Sequence, residues 1–199
     1  KKDSLILALS KGPTSFSEAL EKAFLEYSRD WFLNNRQYET CRDQDLARWH
    51  RFADWFFEQG YQILKTRLCS AISVNTSCNH VAVSELSAQA DLVLKKGEHV
   101  YALSIFPNEP QYSVRARKQE TQAYYSLELL SQYLISAPAY GQETISMICY
   151  LKSKEDKADF LASQYTEGKC YLQMGYGGIA EATQALLSTI QLSVPQKCE

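Results

Sequence analysis

The chain has 199 residues, of which 45% are hydrophobic and 22% charged, and its formal net charge is -2 at pH 7. That length supports one domain with a real core, in the composition range of ordinary globular proteins. No apolar run approaches the roughly 18 residues that span a membrane, and the slight acidity confines any nucleic-acid surface to a local patch.

Pro13 through Ser17 precede a helix expected to run from about residue 15 to 35. Ser15 or Ser17 can cap it, and Glu18 complements its N-terminus. Leu20, Phe24, Tyr27, Trp31 and Phe32 recur at helical spacing. A second helix is expected over 43–59, rich in aromatic residues (Trp49, Phe52, Trp55, Phe56, Phe57) and stopped by Gly60. The period then becomes extended over 61–74, with a turn cluster at Asn75-Thr76-Ser77-Cys78-Asn79. Val81 to Val83 begin another extended piece that leads into residues 90–94. Lys95-Lys96-Gly97-Glu98 reads as a hairpin turn, and residues 100–106 as a strand with few polar positions, hence central in a sheet.

A long helix is expected over 118–135, closed by Ser136-Ala137-Pro138. Residues 144–151 form an apolar strand and 152–159 a charged linker. A last strand at 169–174 precedes Gly175-Tyr176-Gly177-Gly178 and a terminal helix over 179–191. The long helix between two strands should make their pairing parallel. The order predicts an α/β fold in which a mixed central sheet is flanked by helices. One domain is expected over 1–199, with N-terminal helices at about 15–60 and the core at about 61–192.

Six cysteines, Cys41, Cys69, Cys78, Cys149, Cys170 and Cys198, form no C-x-x-C pair. Their wide spacing and the lack of a visible secretory signal favour free thiols and a cytoplasmic location. The first residue is lysine, not methionine, as in a piece of a longer protein. Cys198 would then suit the first cysteine of a cluster completed beyond the last residue. His80 and His99 flank the hairpin without convincing ligand partners, and Gly175 to Gly178 lack the lysine and Ser/Thr of a P-loop.

One acid, Asp91, begins the first strand of the hairpin, in the segment Ala90-Asp91-Leu92-Val93-Leu94. This αβββαβ order resembles the PD-(D/E)XK nuclease superfamily, in particular its RecB-type exonuclease domains. The resemblance spans roughly residues 15–172 as an order of elements, and its sharp motif content is Asp91. It implies a restriction-endonuclease-like sheet with Asp91 as a magnesium ligand, a second acid and a lysine on the next strand, and metal-assisted phosphodiester hydrolysis. The chain departs from that pattern. Ala88 stands where a glycine is usual, and Ala102 and Ser104 occupy the places of the acid and the lysine.

Two expectations follow for activity. Either the metal site is degraded, no cofactor is held, and the domain serves as a nucleic-acid-associated or protein-interaction module in DNA processing or defence. Or magnesium is held by Asp91 with a displaced acid, Glu85, and a displaced lysine, Lys118. A purely protein-binding scaffold in a larger assembly is a third reading. The family's Gln-x-x-x-Tyr motif is only approximate here, at Gln122, Tyr124 and Tyr125, and its N-terminal His or Glu would be Glu21 or His50. The compact basic segment with Tyr112, Arg115, Arg117 and Lys118 is the expected nucleic-acid contact, with cations for phosphates and an aromatic face for a base. No membrane partner is expected.

Overall fold

The computed structural model describes residues 2–29, 35–78, 81–108, 118–152, 169–173 and 178–192. In chain order the elements are α1 (Lys2–Leu9), α2 (Pro13–Arg29), α3 (Asn35–Glu58), β1 (Gln62–Cys78), β2 (Val81–Lys96), β3 (His99–Asn108), α4 (Lys118–Tyr140), β4 (Ile145–Lys152), β5 (Lys169–Gln173) and α5 (Ile179–Leu192). The five strands form one sheet in the order β1-β2-β3-β4-β5. β1, β2 and β3 are antiparallel, β3 and β4 are parallel across the α4 connection, and β5 returns antiparallel to β4. The protein is therefore α/β with a mixed sheet.

Both faces of the sheet are covered. On one, α1, α2 and α3 bring Leu5, Ile6, Leu9, Phe16, Leu20, Phe52 and Phe56 against Leu92, Leu94, Leu103, Ile105 and Met147. On the other, α4 and α5 cover β1 through a cluster containing Val74, Leu130, Tyr133, Leu134, Ala182 and Leu186. Ile135 of α4 packs with Leu68, Ala88, Ala90, Val93 and Ala102. Ala102, Leu103 and Ile105 of the middle strand are fully buried, as two-sided coverage requires of a central strand.

Several boundaries differ from the sequence reading. α1 was not anticipated, although Leu5, Ile6 and Leu9 are buried at helical spacing. α3 begins at Asn35, because a polar run without an apolar stripe can still extend a helix that is anchored further along. The turn cluster at 75–79 is not a turn over most of its length. β1 continues to Cys78, which pairs with Val81, after a register irregularity between Ser73 and Thr76. β2 is one strand from Val81 to Lys96, so Asp91 lies well inside it and not at its head. The hairpin turn falls at Gly97, where φ is 59° and glycine relieves the steric strain. α4 continues past Pro138 to Tyr140 and stops at Gly141 (φ 101°), whose N–H donates to the Ala137 carbonyl at 2.9 Å. A proline this close to the end removes only one late backbone bond.

The expectation of free thiols is corrected at one position. Cys149 is disulfide-bonded, whereas Cys69 is free and exposed. The backbone partner of Cys149 across the β4–β5 ladder is Cys170. No helix among the described residues is long and apolar enough to cross a membrane.

Candidate functional site

Asp91 sits where the face pattern of β2 slips. Ala88 and Ala90 pack toward α4, yet Leu92 and Leu94 pack toward α1–α3, while Val93 returns to the α4 side. A regular strand would keep residues 90 and 92 on one face. The irregularity has a counterpart on β1. Thr66 pairs with Leu92 and Leu68 with Ala90, and Arg67 between them has φ 54°. A left-handed non-glycine residue inside a strand is a local backbone distortion, here without any change of the β1–β2 register on either side of it.

The same point ends the pairing of β2 with β3, which runs from Lys96↔His99 to Leu92↔Leu103. Beyond it the Ile105 N–H donates to Asp91 Oδ2 at 2.7 Å. A buried amide must find an acceptor, and here a side-chain carboxylate provides it. The strands part beside this bond and leave a cavity of about 370 Å³. Gln89, Asp91, Ser104, Glu128, Ser131 and Lys2 supply its polar wall, and Phe106 and Leu127 part of its apolar one.

Asp91 is 1% exposed. Lys2 Nζ lies 2.6 Å from its Oδ2 and 5.1 Å from the centre of the Phe106 ring, and Gln89 Nε2 donates to its Oδ1 at 3.3 Å. The Ser104 hydroxyl donates to the Gln89 carbonyl at 3.3 Å. From α4, Glu128 accepts a hydrogen bond from Gln132 Nε2 at 3.2 Å. Burial pushes the Glu128 carboxyl above its ordinary range and the Asp91 charge adds to this. The Gln132 amide, the Ser104 hydroxyl and Lys2 pull it back.

This arrangement does not suit a magnesium ion as it stands. Magnesium wants deprotonated carboxylate oxygens free to coordinate. Asp91 instead faces an ammonium, a backbone N–H and an amide, and Glu128 is biased toward its neutral form. Among the described residues no group of three or more His, Cys, Asp or Glu is placed to hold a metal ion.

The sequence-predicted residues meet this site unevenly. Asp91 is its centre, and Ser104 lines it. Glu85 is not brought in: it is exposed on β2 opposite Ser73. Its distance along the continuous strand is roughly 20 Å from Asp91 at about 3.3 Å per residue. Lys118 begins α4, its backbone about 15 Å along the axis from Glu128 at about 1.5 Å per residue. Its side chain lies outside the described residues. The rest of the basic segment, Tyr112, Arg115 and Arg117, also lies outside them, as do His80 and Cys198 and the side chains of Gln122, Tyr124 and Tyr125. Glu21 and His50 do not line the cavity.

Sequence reasoning missed Lys2, Glu128, Gln132 and Gln89. Gln89 was visible two residues before Asp91. Glu128 and Gln132, four apart on a helix, share a face. Lys2 carried no local signal.

One consequence of the Glu128 environment is measurable. A carboxyl whose folded-state pKa is raised binds its proton more tightly in the folded chain. Its effect on stability is then most favourable below the unfolded pKa and is lost as pH rises through the folded one. Glu128→Gln, which cannot ionise, should therefore be stabilised relative to the parent at about pH 7 and converge with it near about pH 4. Urea midpoints of both chains at the two pH values check this. An unchanged difference would show that the raised pKa does not exist.

Comparison with known proteins gives no relative: no family model, no curated protein and no solved structure matches the chain.

Proposed function

We propose that this chain is a nuclease-fold domain of the restriction-endonuclease-like type whose metal centre is degraded, retained as a nucleic-acid-associated or protein-interaction module. The observation that carries this reading is the Lys2–Asp91 pair. The one acid that matches the family's metal ligand is buried and neutralised from within by an ammonium at 2.6 Å. The order of the elements and the position of Asp91 on the second strand of the sheet support the ancestry. Ser104 in place of an acidic or basic side chain supports the loss of chemistry.

A second reading has its own observation in favour. Asp91, Glu128 and Lys2 are two acids and a lysine around one cavity, the residue types of a magnesium-dependent nuclease drawn from three different elements. Incubation with single- and double-stranded DNA and RNA in magnesium or manganese separates the two. No cleavage is expected. Cleavage that disappears in Asp91→Ala would establish the active reading. For the module itself, nucleic-acid binding should run through Tyr112, Arg115, Arg117 and Lys118. Arg115→Ala, Arg117→Ala and Lys118→Ala together should weaken binding alike for all sequences and flatten its salt dependence by about one unit of slope per cation removed. Unchanged binding at low salt would rule out this segment. No affinity in the parent, with a protein partner co-purifying, would favour the scaffold.

A further inference from the structure

β1 ends the strand order, and among the described residues no strand pairs with its outer side. It is long, from Gln62 to Cys78. Edge strands are usually blunted by charge, proline or a bulge, because their free N–H and C=O groups recruit another chain. Here the protection sits at one end. Lys65 and Arg67 are exposed there, and Arg67 is distorted (φ 54°) and paired with Asp3 at 3.1 Å. From Leu68 to Val74 the sequence Leu-Cys-Ser-Ala-Ile-Ser-Val has neither charge nor proline. The pairing with β2 runs without a shift from Leu68 to Ser73, so the outer row of backbone groups is regular there. Cys69, Ser70, Ala71 and Ser73 are exposed. A second incompletely covered surface adjoins this edge. α5 packs on α4 and β1, hence over the β1 side of the sheet. Its Ala182 and Leu186 are buried, but Leu187 and Ile190 are only partly covered and Ile179 is 36% exposed. Glu181 is the one charge among residues 179–192.

We propose that the β1 edge is a self-association surface: two copies of the chain pair β1 antiparallel about a two-fold axis at Ala71 and join their sheets into one. Three features favour a second copy over an unrelated strand. First, the segment is self-complementary. Opposed residues of an antiparallel pair share a face. The register about Ala71 sets Leu68 opposite Val74 on the face toward α4 and α5, and Cys69 opposite Ser73 on the open face, identically for both copies as a two-fold interface requires. Second, the charges permit it. The positions opposite Lys65 and Arg67 carry no charge, and a net charge of -2 sets little repulsion between copies. Third, a copy brings its own α5. The same axis places it beside the first, where Leu187 and Ile190 of each helix can cover the other's. The inference stands apart from the nuclease-fold reading, and neither fails with the other.

Sedimentation equilibrium of the full chain tests it. The parent should approach the dimer mass as its concentration rises through the micromolar range. Ala71→Lys and Ala71→Glu each set two like charges against one another at the axis. Each should weaken association at least about a hundredfold, with Tm little changed because residue 71 is exposed. Mixed together, the two variants should associate again, since lysine then faces glutamate. A milder pair of changes guards against variants that do not fold. Cys69→Ser with Ala71→Cys places one thiol at the axis, and a short bismaleimide should join two chains there but not in Cys69→Ser alone. A monomeric parent overturns the inference and leaves the edge to a strand from another protein. Association that survives both charged variants also overturns it, and so does a loss that mixing fails to restore. If neither charged variant folds, the bismaleimide result decides: no chain joining through residue 71 overturns the inference.

Discussion

Asp91→Ala should lower the unfolding free energy by about 3 kcal/mol, the scale of breaking a buried charge pair by removing one partner. Two groups lose their acceptor at once. The Lys2 ammonium is left beside a cavity with only the partly buried Glu128 to answer it, and the Ile105 N–H of a fully buried residue on the central strand is left without a bond. A buried unsatisfied amide alone costs about 1–3 kcal/mol. Asp91→Asn keeps an oxygen for the Ile105 amide while removing the charge, so its loss should be smaller, about 1–2 kcal/mol. Urea unfolding of the parent and the two variants measures both. A loss in Asp91→Ala below about 1 kcal/mol, the worth of an ordinary hydrogen bond, would mean that the strands close over the gap and that Asp91 does not hold the cavity open.

A larger loss, about 4 kcal/mol, is expected for Phe52→Ala. Phe52 is fully buried on α3. It stacks on Phe56 at 6.0 Å between ring centres, meets Trp49 edge-on at 6.1 Å and lies 5.8 Å from Trp55. These rings belong to the same core cluster as Leu92, Leu94, Leu103 and Ile105 of the sheet. Truncation removes the ring and leaves a void that flanking aromatics, already in contact with one another, fill poorly. Typical domains have only about 5–15 kcal/mol of stability in total, so the variant should unfold at a much lower urea midpoint. A loss near about 1 kcal/mol, typical of ordinary surface and partly buried changes, would show that α3 is not packed against the sheet.

The two changes probe parts of the molecule that differ in how far the sequence reveals them. α2, the aromatic part of α3, the hairpin and the buried central strand were legible because each carries its own period. Leu20 and Phe24 recur at helical spacing, and residues 100–106 are an apolar run ended by a proline. Parallel pairing of β3 with β4 was legible too, since a helix between two strands in one sheet carries the chain back to the same end. Boundaries were less so. The polar start of α3, the far end of β1 and the last turn of α4 are decided by neighbours that propensity does not see.

For the candidate site, the sequence by itself determined the single acid Asp91 and the lack of an acid or lysine on the following strand. Only the tertiary structure decided what surrounds it. Lys2 lies almost ninety residues before Asp91 and Glu128 almost forty after, and no spacing rule links them. Their meeting depends on α1 packing on one face of the sheet and α4 on the other, both reaching the cavity where β2 and β3 part. That opening itself follows from the slip at Asp91 opposite Arg67. Local sequence sets which residues can ionise. The parting of two strands in a folded sheet sets which of them share a low-dielectric cavity, and so which charge answers which.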